Sequence, residues 1–254
     1  MESVRKPFQG VANVVRFNWH FYLFAFVISL TLFSLALFIN RPISLILNLF
    51  IFGIIVTVSI TLLVTFYVYD LSNLYKLNRL KHLQISNNET IININAGFDE
   101  TSELIKSKFK PKNLIVLDFY DETKHTEISI KRARKAYPPY PNTLSVTTNS
   151  LPLENNLADK VFCFLSVHEI RDNAERVNFF KELNRVLKSK GQIIVTEHLR
   201  DLPNFLAYNI GFFHFHSKKI WSKTFTEANF VISEEIKITP FISTFILEKN
   251  GISS

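Results

Sequence analysis

The chain has 254 residues, a formal net charge of +7 at pH 7 and a single cysteine. The lone Cys163 excludes an intramolecular disulfide and a metal site built from several cysteines, and it fits a reducing compartment. The length allows one large domain or a smaller domain with an appended segment.

The positive charge is concentrated in the first third of the chain. Residues 1–86 hold seven Lys or Arg against two acidic residues, a net charge of +5, whereas residues 87–254 hold 22 against 20, a net charge of +2. The chain has no stripe of basic residues interleaved with aromatic ones, which is the pattern of nucleic-acid binding. We therefore expect no nucleic-acid partner, and we expect the basic flanks to meet anionic membrane lipids.

Two long apolar stretches dominate the N-terminal part. Residues 17–40 and 42–69 contain no Asp, Glu, Lys or Arg. About 20 apolar residues cross the hydrocarbon core of a bilayer, so we predict two transmembrane helices, near residues 20–40 and 44–68. A cleaved signal peptide fits poorly because no small-residue cleavage pattern follows the first stretch. The alternative is a helical hairpin buried in a soluble protein, which would need a large core to cover it.

Basic residues flank the two stretches at their outer ends. They are Arg5, Lys6 and Arg16 before the first stretch, and Lys76, Arg79 and Lys81 after the second. Only Arg41 lies between the stretches. Because Lys and Arg mark the cytoplasmic side, we predict an integral protein of the inner cell membrane, with both termini and the following domain in the cytoplasm.

Leucine recurs every three residues from Leu71 to Leu83. We interpret this repeat as an amphipathic helix that continues the second span along the membrane surface. The polar stretch at residues 85–90 then predicts a break, and we place a domain boundary near residue 86. Residues 1–86 are thus predicted to form a membrane anchor and residues 87–254 a separate domain.

Residues 87–254 alternate strand and helix patterns. The predicted strands cover residues 90–95, 113–119, 143–147, 159–166, 191–197, 230–238 and 241–248. The predicted helices cover residues 101–110, 122–136, 173–188 and 218–228, and Gly191 is expected to end the third of them. This order indicates a Rossmann-like α/β fold, a parallel sheet with helices on both faces. The last two strands are too close for a crossover helix, so they should form an antiparallel hairpin.

Ligands of an open parallel sheet bind beyond the carboxyl ends of its strands. The stretch "IININAGFDE" (91–100) places a turn with Gly97 after the first strand, and Asp99 is expected to be the N-cap of the next helix. The second strand ends near Asp118, where a carboxylate can accept both hydroxyls of a ribose. Asp121 is an alternative for that role.

Two later segments carry a family resemblance. The segments "NSLPLENNLADKVFCFLSVHEI" (149–170) and "FFKELNRVLKSKGQIIVTE" (179–197) resemble the class I S-adenosylmethionine-dependent methyltransferases. They look closest to the branch that acts on small molecules and on quinone- or lipid-like substrates. The resemblance covers about residues 88–250. It implies S-adenosylmethionine as cofactor and a Rossmann-like sheet with a terminal antiparallel hairpin, here preceded by a two-helix transmembrane hairpin.

The resemblance also implies which residues bind the cofactor. They are Asn93, Asn95, Gly97, Asp99, Asp118, Asn149 and Ser166. Residues 93–99 match the family's D-x-G-x-G-x-G loop, but only Gly97 keeps the family's residue type. Asn95 can replace a glycine in a turn because asparagine tolerates left-handed backbone. A carboxylate at Asp99 can bond the cofactor's ammonium but repels its carboxylate.

Histidines supply the candidate catalytic groups. Methyl transfer depends on positioning the acceptor, and an oxygen or carbon acceptor can also need a general base. His168 follows the fourth strand and His198 the fifth, so both should lie on the active edge of the sheet. "GFFHFHSKKIW" (211–221) suits a lid or a membrane-facing entrance. Its two histidines lack an evident third ligand, so we predict no metal site.

The anchor favours a small lipophilic acceptor, such as a quinone or lipid precursor. The altered glycine loop leaves open an inactive methyltransferase-like membrane protein with a binding or assembly role. A third hypothesis is an NAD-binding oxidoreductase. The closing hairpin and the lack of repeated glycines argue against it. The run "IKRARK" (130–135) could attract phosphate or lipid headgroups, but it is interpreted as a solvated helix face.

Overall fold

The computed structural model describes residues 5–83, 85–125 and 127–251. Its N-terminal part contains α1 (Gln9–Phe17), α2 (Trp19–Ala36) and α3 (Arg41–Phe66), and α3 runs into a π-helical turn, Tyr67–Leu71. Helices α2 and α3 pack against each other as a hairpin. They lie close to the two spans predicted from the sequence.

Helices α2 and α3 are long and apolar enough to cross a membrane, judged by length and composition. Their mean hydropathies are 1.7 for Trp19–Ala36 and 2.6 for Arg41–Leu71, and only 6% of the most apolar window of each is buried. Exposed apolar surface on this scale marks contact with a membrane or a partner. The described residues therefore do not cover the hairpin as the core of a soluble protein would.

The segment after α3 differs from the amphipathic α-helix predicted over residues 71–83. It forms a turn and then a 3₁₀ helix, Asn78–Leu83. A 3₁₀ helix has 3.0 residues per turn, so leucines spaced three residues apart fit it better than they fit an α-helix. Leu77 has a φ of 50°, which interrupts a right-handed helix. Leu77 and Leu80 pack beneath the sheet, so this segment joins the core of the following domain.

Seven strands form one mixed sheet. They are β1 (Thr90–Asn95), β2 (Asn113–Asp118), β3 (Leu144–Ser145), β4 (Ala158–Phe164), β5 (Leu187–His198), β6 (Phe230–Thr239) and β7 (Ile242–Lys249). The strand order is β3-β2-β1-β4-β5-β7-β6. The first five strands are parallel, and β7 runs antiparallel between β5 and β6. This confirms the predicted Rossmann-like sheet with a terminal antiparallel hairpin, and it puts the switch point beside β1.

The remaining helices are α4 (Ser102–Phe109), α5 (Ile128–Ala136), α6 (Asn173–Val186), α7 (Leu202–Tyr208) and α8 (Lys218–Glu227). Helix α5 begins at Ile128 rather than at the predicted residue 122. A local turn takes its place, because the Asp121 carboxylate accepts the Thr123 N–H at 2.9 Å. The Asp121 N–H in turn donates to Nδ1 of His125 at 2.8 Å.

The prediction that Gly191 ends a helix is wrong. Strand β5 already begins at Leu187, so Gly191 lies within the strand. A Cβ at this position would stand 2.7 Å from Cγ of Leu187 and 3.0 Å from the carbonyl oxygen of Asp159. A glycine is needed here because two segments approach closely, at a register shift between β4 and β5.

Candidate active site

A cavity of about 220 Å³, here called the central cavity, lies at the carboxyl ends of β1, β4 and β5. Helix α1 and the π-helical turn close it from the side of the α2–α3 hairpin, and its lining includes Asn13, Tyr69, Asn95, His168 and His198. Cys163 is buried in β4 and is not among its lining residues. The sheet edge, helix α1 and the π-helical turn thus build one cavity together.

Helix α1 is held over the central cavity by the end of α3. The Asp70 carboxylate accepts the N–H groups of Gly10 and Val11 at 2.7 and 2.9 Å, which satisfies the first turn of α1. A Cβ at Gly10 would stand 2.4 Å from Cβ of Tyr69, so a side chain there would push α1 away. Helix α5 adds a further contact to α1, because the Tyr137 hydroxyl at its C-terminal end donates to Oδ1 of Asn13 at 2.8 Å.

The loop after β1 keeps a tight turn with one glycine. Gly97 has a φ of 92°, and its N–H donates to Oδ1 of Asn95 at 3.1 Å. The side chain of Asn95 therefore supplies the hydrogen bond of the turn. Its amide nitrogen is buried and has no partner among the described residues. Because Asn95 lines the central cavity, this nitrogen is suited to a ligand's carboxylate.

Asn93 and Asp99 hold the start of α4. The amide of Asn93 is fully buried and donates to the hydroxyls of Thr101 and Ser102 at 3.0 and 2.8 Å. The Asp99 carboxylate accepts the N–H groups of the same two residues, each at 2.9 Å. Thr101 occupies the N-cap position that the sequence assigned to Asp99, although Asp99 supplies the carboxylate.

Asp118 lies at the end of β2 in an ion pair with Arg134 of α5. Its other oxygen accepts the Tyr120 N–H at 2.9 Å, and the Arg134 guanidinium stands 4.4 Å from the centroid of the Tyr120 ring. Arg134 also lies against the glycine turn, since a Cβ at Gly97 would be 2.8 Å from its Cδ. The "IKRARK" face is therefore not simply solvated, because Arg134 turns toward the sheet edge.

Asn149 lines a second cavity of about 570 Å³ beyond the ends of β2 and β3. The sequence has no acidic residue at positions 148–150, but the fold brings Glu175 of α6 to this cavity. The Glu175 carboxylate accepts the Thr148 hydroxyl and the Lys124 ammonium, the latter at 2.7 Å. Sequence reasoning missed Glu175 because it comes from a separate helix.

His198 is buried and neutral. Its Nδ1 lies 2.9 Å from Oδ1 of Asn204, whose amide nitrogen donates to Asp201 and to the Phe241 carbonyl. The Asn204 oxygen therefore faces Nδ1, which must carry the proton, and Nε2 accepts the Tyr69 hydroxyl at 2.8 Å. Burial lowers the pKa of His198 to about 4 despite the bond to Asn204.

His168, in contrast to His198, is held in its protonated, charged form. Its Nδ1 lies 2.6 Å from Oε2 of Glu197, and its Nε2 lies 3.3 Å from Oε1 of Glu169. Burial opposes the charged form, but Glu197 and Glu169 outweigh it and raise the pKa of His168 to about 10. Of the two predicted catalytic histidines, only His198 is neutral near physiological pH.

Ser166 connects strands and is absent from the lining of the central cavity. Its hydroxyl donates to the Ile94 carbonyl at 3.1 Å, and its N–H donates to Oε1 of Glu197 at 3.0 Å. These bonds hold the end of β4 between β1 and β5. They fix the position of the segment that carries His168.

The depressed pKa of His198 predicts a pH-dependent stability. Unfolded histidine binds a proton near pH 6.5, whereas folded His198 does so only near pH 4. The unfolded state therefore binds more protons between these values, so this contribution to the free energy of unfolding falls as pH drops from 6.5 to 4, by up to about 3 kcal/mol. We expect the melting temperature of His198→Gln to change less with pH over this range than that of the unmodified chain. An equally steep pH dependence in the variant would contradict the assignment.

Comparison with known proteins places this geometry in a class. Residues 94–195 match the model of a protein family described as a methyltransferase domain. The chain is similar to a SAM-dependent methyltransferase from Aquifex aeolicus, with 16% identity, a TM-score of 0.50 and coverage of 69% of this chain and 90% of that one. It is also similar to an S-adenosylmethionine-dependent methyltransferase from Clostridium acetobutylicum ATCC 824, with 13% identity, a TM-score of 0.51 and coverage of 70% and 90%. At these identities the two structures show the fold. No curated protein matches the chain.

The family match and the fold together support a methyltransferase, with S-adenosylmethionine as its cofactor. The described residues fit that cofactor at its amino-acid end, where the unpartnered amide nitrogen of Asn95 lies beside the central cavity. On the ribose side, Arg134 holds one oxygen of Asp118 and the Tyr120 N–H binds the other, so a ribose competes with Arg134 for this carboxylate. Arg134 has a side chain that is 38% exposed, so solvent offers it another position.

Proposed function

We propose that this protein is a membrane-anchored methyltransferase that methylates a small lipophilic acceptor at the cytoplasmic membrane face. An apolar groove carries the proposal. The groove has a volume of about 550 Å³ and lies between the membrane hairpin and the domain. Phe21, Tyr22 and Val58 line it from α2 and α3, while Ile128 and Ile210 line it from the domain.

The apolar groove adjoins the central cavity. Val14, Asn18 and Phe215 line both spaces. Such a path suits an acceptor that is dissolved in the bilayer and presents one polar group to the sheet edge. A water-soluble acceptor would gain nothing from an entrance lined by membrane helices. The groove therefore supports a lipophilic molecule, with membrane lipids as the surroundings of the anchor.

The chemistry of the site divides between binding and proton removal. S-adenosylmethionine supplies an electrophilic methyl group when bound. In this proposal Asn95 binds its carboxylate, Asp118 binds its ribose, and the cavity lined by Asn149 receives its adenine. Nε2 of His198 takes the acceptor's proton through the Tyr69 hydroxyl, which passes on its own proton as it receives another.

The transfer itself can be tested with the full chain in lipid nanodiscs. The probe is radiolabelled S-adenosylmethionine with a total lipid extract of the host membranes. We expect label in the organic phase that depends on the protein and on time. Label found only in the aqueous phase after addition of water-soluble host metabolites would overturn the lipophilic acceptor.

Filling the apolar groove should block the acceptor and spare the cofactor. Val58→Trp places a large ring in the groove, so we expect at least a tenfold loss of organic-phase label with unchanged binding of S-adenosylhomocysteine. Leu63→Trp is the matched control, because Leu63 lies on the same helix and is 67% exposed. Equal activity of the two variants would argue against entry through the groove.

The proposed topology can be tested because the only natural cysteine is buried. Asn40→Cys, between α2 and α3, should react with a membrane-impermeant maleimide in spheroplasts. Asn87→Cys, ahead of β1, should react only after permeabilisation. The reverse pattern would place the domain outside the cell, and equal labelling of both before permeabilisation would contradict membrane insertion.

A further inference from the structure

The geometry points to a divalent-cation site of the zinc type, built from His168, Glu169 and His214. His168 and Glu169 belong to a 3₁₀ turn after β4, Val167–Glu169, and His214 ends another 3₁₀ segment, Asn209–His214. One ligand atom from each of the three residues lies within 4.8 Å of the others. Two imidazoles and a carboxylate form a donor set that zinc binds, with a fourth position left open.

The donor spacing is close to that of a loaded site. Oε1 of Glu169 lies 3.3 Å from Nε2 of His168 and 3.0 Å from Nε2 of His214. Metal–ligand bonds of 2.0–2.2 Å in a tetrahedron put neighbouring donors about 3.3–3.6 Å apart, and all three ligand atoms already lie within 4.8 Å of one another. A cation could therefore bind with little movement of Glu169 and small adjustments of the two imidazoles.

Both imidazoles are oriented from behind by carboxylates. Nδ1 of His168 lies 2.6 Å from Glu197, and Nδ1 of His214 lies 2.6 Å from Oε1 of Glu127. A histidine that binds a metal commonly donates its other N–H to a carboxylate, which fixes the ring and raises its basicity. The same arrangement on both rings directs both Nε2 atoms at Glu169, which an incidental ion pair would not require.

The charge of the cluster also favours a dication. Glu127, Glu169 and Glu197 contribute a formal charge of −3, and the guanidinium of Arg171 contributes +1. Arg171 contacts the ring of His214, with its Nη2 against Nδ1 and 2.8 Å from Nε2, and so places a positive charge beside the cluster. It is exposed and can turn outward. Once His168 gives up its proton to the incoming metal, both imidazoles are neutral and the formal charge with Arg171 in place is −2, which one divalent cation balances.

This site could not be predicted from the sequence because its two histidines come from separate segments of the chain. The repeat "HFH" suggests His214 and His216 as a pair, but His216 turns away and lies 3.2 Å from Nη1 of Arg176. The fold instead joins His214 to the segment after β4.

The location assigns the cation a role that rests on the proposed function. His168 lines the central cavity, and His214 lines the apolar groove. A cation between them would meet the polar group of an acceptor arriving through the groove. With its open position it would bind an acceptor hydroxyl and lower the pKa of that hydroxyl, which selects hydroxylated acceptors.

Metal binding is tested on the full chain in detergent, stripped with a chelator and titrated with Zn²⁺. We expect one equivalent by calorimetry and by elemental analysis. His214→Ala and Glu169→Gln should each weaken binding at least 100-fold, whereas His216→Gln should not. Arg171→Gln should strengthen binding about tenfold, because it removes a competing cation.

Absence of Zn²⁺ binding by the folded chain, shown by circular dichroism to keep its structure, would overturn the site. Binding that survives in His214→Ala would overturn the ligand assignment. These measurements need neither cofactor nor acceptor, so their failure is distinguishable from failure of the proposed function. For the catalytic role, the stripped protein should lose organic-phase methylation and regain it with Zn²⁺, and full activity without metal would overturn that role.

Discussion

His198→Gln should lower methyl transfer to the lipid extract about 10²- to 10⁴-fold, the usual contribution of a positioned general base. Nε2 of His198 is the unprotonated atom that faces the central cavity through Tyr69. Burial keeps the pKa of the imidazole at about 4, so Nε2 is unprotonated at every physiological pH, and the weakness of such a base puts the expected effect toward the lower end of this range. Glutamine preserves much of the volume and can still bond Asn204, but it cannot take up a proton.

The readouts separate a chemical role from a structural one. Binding of S-adenosylhomocysteine should be the same in His198→Gln as in the unmodified chain, while the transfer rate collapses. Tyr69→Phe should also lower the rate, because it keeps the ring but removes the hydroxyl that passes the proton to Nε2. His216→Gln, which alters a buried histidine outside the central cavity, should keep the normal rate. Transfer by His198→Gln within threefold of the unmodified rate would rule out His198 as the base.

Gly97→Val should weaken binding of S-adenosylmethionine at least 100-fold. A β-branched residue is strained at the φ of 92° that Gly97 adopts. Its Cβ would also stand 2.8 Å from Cδ of Arg134 and 3.0 Å from Cδ2 of Tyr120. Either the turn opens, which moves Asn95, or Arg134 and Tyr120 shift beside Asp118. Both responses disturb the edge where the cofactor is expected.

Gly251→Val is the matched control for this variant. Gly251 has a φ of 93°, so valine meets the same backbone strain, but nothing lies within 4 Å of a Cβ there. It should lose a similar amount of intrinsic stability and keep its affinity for the cofactor. If Gly97→Val binds the cofactor as tightly as Gly251→Val does, the β1 loop is not part of the cofactor site.

The sheet could be predicted because its signals are local. Strands β1, β2 and β4 are short apolar runs, and the close spacing of β6 and β7 required an antiparallel pair. Element boundaries that depend on particular side-chain contacts could not be predicted. The late start of α5 depends on the bonds between Asp121 and His125, and the early start of β5 depends on how closely Gly191 approaches β4.

The site was only partly predictable. Gly97 and Asp118 follow strand ends, which the sequence pattern reveals, and His198 does too. Tyr69, Arg134 and Glu175 reach the sheet edge from the π-helical turn and from helices α5 and α6, so no spacing rule connects them to it. One available signal was Asp70, a single acid at the end of an apolar span, which proves to hold α1 over the central cavity.

The central claim is that the divergent β1 edge still binds S-adenosylmethionine. Calorimetric titration of the full chain in detergent with S-adenosylmethionine and with S-adenosylhomocysteine tests it most directly. We predict saturable heat at one equivalent for each ligand, abolished in Gly97→Val and retained in Gly251→Val. Absence of heat with either ligand, on protein that circular dichroism shows to be folded, would contradict the account and favour a binding or assembly role without catalysis.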